Sequence, residues 1–421
     1  MKELNNINKT KTSKCEIFCN SVSQFCEEWK EEGRKKMEAK IQAEIEEAEK
    51  NFSGCRQRWS KDYHTPLGTI TVKRRAYDIN GEKICLADKI VGLPENKWLP
   101  EVEEIYCALG VSEEFVQAQK LFTKWTRVKV SDHGLSNRIE AIGEEMYNKE
   151  FAEKAAEVAP LENRLSRNIK KSVIKPNVYV GVDGILVPIH KQKDYKEGKV
   201  GVIFWEDALL KVSPKRTEIK NREYVATMES REIFEELVYK KYTQVVGMKP
   251  CNTILLGDGA HWIWDMAKIY FPDCVQILDF FHVSEYVWDV ARELFPDKKG
   301  QQKRWVNIQL KRLKKSKWKD VITSLQFYRN NTSSKLKEAI DKIKTYLQNN
   351  SGRIDYKTYI KKGYIIGSGV VESSNRRIVT KRLKQSGMYW SKKGANSIMT
   401  LRACYLSSSN QWDNFWKERV A

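Results

Sequence analysis

The feature that most constrains the fold of this chain is a series of five short apolar runs. They are Val178–Asp183, Gly201–Trp205, Glu223–Thr227, Thr253–Asp258 and Val275–Asp279. Each is too short for a helix and rich in Val, Ile and aromatic residues, which is the pattern of a buried strand. After Asp183, Gly184 leads into a further apolar run to Ile189. Ser230 offers an N-cap to an amphipathic stretch through Ile233, Leu237 and Val238, and Trp262–Tyr270 reads as a second helix. The order is therefore βββαβαβ: an antiparallel meander, then alternating units, which calls for an α/β sheet with helices against it.

Two of these runs end in Asp-Gly, Asp183-Gly184 and Asp258-Gly259. Asp-Gly after a strand is ordinary turn chemistry. Two such carboxylates in one open sheet, however, lie where α/β sheets bind ligands, beyond the strand ends. Asp279 and His282 follow the fifth run at i and i+3, positioned to brace a site by hydrogen bonds or to touch substrate. Cys274, Asp279 and His282 could alternatively be zinc ligands, but a fourth is missing. A third carboxylate, Glu372, stands in Gly367-Ser368-Gly369-Val370-Val371-Glu372, with Asn375 and Arg376 at i+3 and i+4. Three hard carboxylates without clustered Cys and His favour Mg²⁺ or Mn²⁺ over a dedicated zinc site. Two such ions can activate an attacking oxygen and stabilise a leaving one in phosphoryl transfer.

Charge is segregated to match. The chain carries +20, and residues 291–421 alone hold 30 basic and 9 acidic residues. Cys251–Val290 runs the other way, with 1 basic and 6 acidic residues. A basic third beside an acidic island suits a polyanion partner and a cation site. The expected phosphate contacts are Lys311, Arg312, Lys314 and Lys315 in one basic run, and Arg376, Arg377, Lys381, Arg382 and Lys384 in another, with Trp390 as an aromatic neighbour.

The 421 residues leave room for two or three domains at roughly 150 residues each. Residues 1–60 read as helical, with Phe18, Val22, Phe25 and Trp29 stepping as a seam for a partner helix or for packing within the chain. Residues 61–100 hold a β signal around Asn80-Gly81, a dipeptide favoured in tight hairpins. Residues 101–171 read as helical, with two helices over Val111–Met146 that could form a DNA-reading helix-turn-helix or a structural connector. Residues 172–290 are the first part of the α/β core, 291–358 a basic helical insertion, and 359–421 the end of the core. No run suits a membrane span. The opening Met1–Asn6 lacks the apolar stretch of a secretory signal, and nine cysteines form no CxxC pair, so a cytoplasmic protein is expected. Cys15-x3-Cys19 is half a zinc site at most; a helical turn is the simpler reading.

Four segments occur in order: Gly257-Asp258-Gly259-Ala260-His261-Trp262-Ile263-Trp264, Ile277-Leu278-Asp279-Phe280-Phe281-His282, Ile366-Gly367-Ser368-Gly369-Val370-Val371-Glu372-Ser373 and Arg382-Leu383-Lys384-Gln385-Ser386-Gly387-Met388-Tyr389-Trp390-Ser391. They resemble motifs of bacterial insertion-sequence transposases of the Kra type, in the Mutator-like DDE group. The βββαβαβ order is likewise that of a ribonuclease H-like domain. The resemblance implies Asp183, Asp258 and Glu372 as a metal-holding DDE triad, Asp279 and His282 as the group's Asp-x-x-His signature, and an all-helical insertion before Glu372. It further implies two Mg²⁺ or Mn²⁺ ions and a homo-oligomer acting on terminal inverted repeats and target DNA at the nucleoid. The activity it implies is cleavage at element ends followed by strand transfer of the 3′-OH. Two other classes fit the same residues: a non-catalytic DNA-binding protein derived from a transposase, and a nuclease that cuts without joining. A family-like pair of N-terminal cysteines is missing around Tyr77–Gly81, which argues against a zinc ribbon there.

Overall fold

A computed structural model describes residues 2–53, 57–79, 82–152, 175–189, 194–213, 216–329, 333–367 and 369–420. It is a mixed α/β protein that divides into two compact units, 1–139 with 414–421, and 140–413. The sequence placed that boundary near 171; here it falls inside one continuous helix, Asp132–Ala152. The expected helical stretch to Lys171 lies from 153 onward outside the described residues, as do the Asn80-Gly81 turn and Ser368.

In the first unit, α1 (Lys2–Glu49) is followed by β1 (Gln57–Thr65), β2 (Gly68–Ile79) and β3 (Glu82–Ile84), an antiparallel sheet in that order. β2 and β3 pair as expected around the turn, Tyr77 opposite Ile84. β1 had no sequence signal, because its polar residues interrupt any apolar alternation. β3 is too short to cover the rest of β2, so α1 does that instead. Gln42 exchanges hydrogen bonds with the Lys73 backbone (3.1 and 2.8 Å), Arg34 donates to Thr69 O, and Ile45 packs on Tyr63, Ile70 and Val72. Covering an open strand edge in this way blocks unwanted pairing. Then come α2 (Leu86–Val91), α3 (Pro100–Ser112), α4 (Phe115–Thr126) and α5 (Asp132–Ala152). The expected pair of helices is thus preceded by a third, which Pro100 opens at the first helical turn, where its missing N–H costs nothing.

The second unit is built on one five-stranded sheet. β4 (Asn177–Ile189), β5 (Asp194–Trp205), β8 (Glu223–Thr227), β9 (Asn252–Gly257) and β10 (Val275–Leu278) lie in the order β10-β9-β4-β5-β8. β4, β5 and β8 form an antiparallel meander, whereas β9 and β10 run parallel to β4. A separate hairpin, β6 (Leu209–Ser213) with β7 (Arg216–Ile219), was not expected; both strands are short, and β6 is exposed from Leu210 to Ser213. Ser230 caps α6 (Arg231–Val246) through Ile233 N, and α7 (His261–Tyr270) joins β9 to β10.

One expectation needs correction. β4 does not end at Asp183 but continues to Ile189, because β5 pairs with it along its whole length. What ends near Asp183 is the other neighbour: the β9 pairing stops at Gly181–Leu256.

After β10 the chain is helical: α8 (Phe280–Leu294), α9 (Lys299–Lys314), α10 (Trp318–Arg329), α11 (Ser334–Asn349) and α12 (Tyr356–Lys361). Next come α13 (Gly369–Asn375), a π-helical turn over Arg376–Thr380, α14 (Lys381–Leu383), α15 (Lys392–Leu406) and α16 (Gln411–Val420). α13 sits on the sheet because Gly181 leaves room for it; a Cβ there would meet Val371 Cγ2 at 2.5 Å. The π turn is held by α15, where buried Arg402 donates to the Arg377 and Ile378 carbonyls (3.1 and 2.9 Å). Among the described residues no helix is long and apolar enough to cross a membrane.

Candidate metal and phosphoryl-transfer site

The strand register sets the site. Continued two residues past Gly181–Leu256, it brings Asp183 opposite Asp258, and Leu278–Gly257 brings Asp279 next to Asp258 on the other side. Asp258 and Asp279 thus follow the carboxyl ends of β9 and β10, level with Asp183 inside β4, although 75 residues separate Asp183 and Asp258 in sequence. Asp258 and Asp279 are each fixed locally. Asp258 accepts from Ala260 N (2.9 Å), and Gly259 turns the chain at φ +98° against the Tyr346 ring. Asp279, almost fully buried, caps α8 through Phe281 N (2.9 Å), and its own N–H donates to Gly257 O (2.8 Å).

That cap places His282 one turn into α8. Its Nε2 lies 3.7 Å from Asp279 Oδ2 and its Nδ1 3.3 Å from Glu285 Oε2. Donor atoms of Asp183, Asp258 and His282 all fall within 4.8 Å of one another. Burial, together with the Asp258 charge, pushes the Asp183 carboxyl up to about 6, against the opposing pull of His282, the Gly184 amide and Asn375. Among the described residues no Lys or Arg forms an ion pair with Asp183 or Asp258.

Glu372 is exposed on α13 and is not one of the three clustered donors. The same helix is tied to the cluster one turn later, where Asn375 Nδ2 donates to Asp183 Oδ2 (2.6 Å). Two contacts were missed from the sequence. Asn375 was visible only as a neighbour of Glu372. Tyr346, whose hydroxyl donates to Asp258 O from 88 residues away, gave no signal at all. The zinc alternative finds no support: Cys274 is not in the cluster, and burial pushes its thiol up to about 12. Cys19 is exposed, and the Cys15 side chain lies outside the described residues.

Of the expected phosphate contacts, Lys311, Lys314, Lys315, Arg376, Arg377, Lys381 and Lys384 are exposed and Arg312 is half-buried. Lys314 Nζ lies 5.1 Å from the centre of the Phe280 ring, next to Asp279. Two others need correction. Arg382 is fully buried over the Trp390 ring, and Trp390 donates from Nε1 to Leu383 O and from its backbone N to Pro188 O. Those bonds turn both side chains inward and leave no face for a nucleic acid.

Residues 35–420 match a family described as Uncharacterised protein family (UPF0236). This chain belongs to that family. The UPF0236 match takes in every residue of the cluster and both basic runs, while most of α1 precedes it. No curated protein matches the chain.

Proposed function

We propose that this UPF0236 protein is a metal-dependent DNA transposase with a ribonuclease H-like catalytic core. The observation that carries the reading is the pair Asp183, within β4, and Asp258, just past β9, brought together half-buried with no Lys or Arg ion-paired to either among the described residues. Buried carboxylates ordinarily have partners. Two hard oxygens and an imidazole around one point suit a divalent ion such as Mg²⁺ or Mn²⁺. The sheet order supports the fold assignment: numbered within the sheet it is 5-4-1-2-3 with only the second strand reversed, the arrangement expected of such a core. The helices α9, α10 and α11, within residues 291–358, support the reading of an all-helical insertion there.

In this reading Asp183 and Asp258 hold the metal and Glu372 supplies the third carboxylate. Metal bound there supplies Lewis-acid activation of the attacking oxygen and charge stabilisation at the leaving one. Asn375 fixes the Asp183 carboxylate, and Asp279 orients His282 toward the scissile phosphate. Exposed Arg376, Arg377, Lys381 and Lys384, following α13, contact the DNA backbone. Water cuts first; the freed 3′-OH then attacks target DNA.

The test uses purified protein, linear DNA carrying the sequence that flanks its gene, and Mn²⁺ or Mg²⁺. Wild type is expected to give metal-dependent cuts and joined products, both absent in Asp258→Asn while DNA binding persists. Cuts without joined products would mean a nuclease, and binding without cuts in wild type would mean a non-catalytic DNA-binding protein.

A further inference from the structure

A cavity next to the aspartate pair uses none of its carboxylates, and no cation assigned above to the DNA backbone lines it. It opens between α7, α8 and α11 with a volume of about 920 Å³, within the range of ordinary small-molecule sites. Its walls are aromatic. Tyr286 and Tyr346 stack with ring centres 4.4 Å apart, and the Arg353 guanidinium lies 4.3 Å from the centre of the Trp264 ring. Trp264 is 3% exposed, yet its buried Nε1 has no hydrogen-bond acceptor among the described residues. Gly259 also lines the cavity, and the Tyr346 hydroxyl donates to Asp258 O, so the cavity adjoins the metal-site strand end through the backbone.

The charges around it do not cancel. Asp341 accepts two bonds from Arg329 (2.8 and 3.0 Å), and Asp265 lies 3.6 Å from Arg231 and 3.8 Å from Lys268, so both acids are already matched. Lys337, Lys342 and Arg353 form no ion pair among the described residues, against Glu338 as the single unmatched acid of the lining. Arg353 is also oriented in advance: its Nε donates to Gln276 Oε1 (2.8 Å) and its Nη1 reaches Asn350 Oδ1 (3.4 Å). A guanidinium held in this way suits the oxygens of a phosphate. The surplus of cations selects an anion, and the aromatic walls select a planar ring. Inorganic phosphate would leave the rings unused, and a neutral aromatic compound would leave the cations unmatched. A nucleotide meets both demands, with its base among the aromatic side chains and its phosphate on Lys337, Lys342 and Arg353. We propose that this cavity binds a nucleotide, either as a free nucleoside phosphate or as an unpaired residue of a nucleic-acid strand.

Titration calorimetry of the full-length chain in EDTA tests this. The probes are deoxyadenosine 5′-monophosphate, adenosine, inorganic phosphate and a single strand of about ten thymidines. The monophosphate should bind at least about 10-fold more tightly than adenosine or inorganic phosphate, because stacking and charge act together. Lys337→Ala/Lys342→Ala should weaken it by about 10-fold. Lys335→Ala/Lys344→Ala removes the same charge from the same helix at positions outside the cavity and should bind like wild type. Equal circular dichroism of the variants checks that the fold is kept. Displacement of the monophosphate by the thymidine strand assigns the cavity to a strand, and a monophosphate that the strand does not displace assigns it to free nucleoside phosphates. Absence of monophosphate binding, equally tight binding of inorganic phosphate, or equal losses in the two lysine pairs overturns the proposal. Binding is read without metal and without catalysis, so its failure leaves the function proposed above standing, and the reverse holds as well.

Discussion

The two units bury acidic side chains in opposite ways. In the first unit Glu103, 1% exposed, is enclosed by cations: Arg138 Nε donates to it at 2.7 Å, Arg419 at 2.8 Å, and the Tyr106 hydroxyl at 3.3 Å. In the second unit Asp183 and Asp258, both half-buried, face each other, and what opposes the charge at Asp183 is the His282 ring, the Gly184 amide and the Asn375 amide, with no Lys or Arg paired to it among the described residues. The first arrangement is complete without any addition. The second leaves negative charge concentrated at one point, which costs stability unless something outside the chain neutralises it. Matched burial holds a fold together; in the function proposed above, the unmatched pair is where a divalent ion would bind.

The contrast can be broken most severely at the unmatched pair. Asp258→Asn is expected to lower metal-dependent DNA cleavage on the order of 10⁴-fold. Thermal unfolding without metal should stay the same or move upward, because one of two repelling charges is gone; a marked loss of stability would make the pair structural. Glu103→Ala should behave oppositely. It strands two half-buried guanidinium groups and should cost about 3 kcal/mol of stability, read by chemical denaturation.

Acidity separates the units next. His64 in β1 is buried edge-on to Trp98, with ring centres 4.4 Å apart, and burial together with Lys97 pushes it down to about 4 from 6.5. Its contribution is present above pH 6.5 and lost as pH falls through about 4. Asp183 is raised from 3.8 to about 6, so its contribution is present below about pH 4 and lost as pH rises through 6. Each is worth up to about 3 kcal/mol. Stability of metal-free protein across pH 4–7, compared with His64→Gln and Asp183→Asn, should show one limb flattened in each variant. Slopes unaffected by the substitutions would remove both assignments. The smallest effect is expected at Asn375→Ala, which should weaken Mn²⁺ binding by about 10–100-fold with little change in melting, measured by titration calorimetry.

Much of the core was legible because each strand carries its own apolar run. Glu223–Thr227 forms a strand with the expected bounds, and Ser230 caps the helix that follows. Asp258 and Asp279 were legible for the same reason, since the ends of β9 and β10 are local features. What the sequence withheld was contact at long range. The bond from Asn375 to Asp183 spans 192 residues, and no local pattern announces it. Basic runs were legible as composition but not as exposure: reading Arg382 as a surface cation overlooks the neighbouring Trp390 that encloses it. The continuation of β4 past Asp183 depends on β5, a partner the run Val178–Asp183 does not reveal.

The π-helical turn over Arg376–Thr380 works as a phase adjuster. It accommodates one residue more than an ordinary turn, and Arg402 takes up the carbonyls this leaves open. A chain one residue shorter there would close an ordinary turn and rotate everything after it by about 100°. Arg382 would then take the exposed place of Lys381, and Lys384 the buried place of Leu383, so one packed side chain would be turned out and one surface cation inward. A single-residue deletion at this turn should therefore be far more damaging than any one substitution within it, because it resets the angular position of the side chains from Lys381 to Lys384 together.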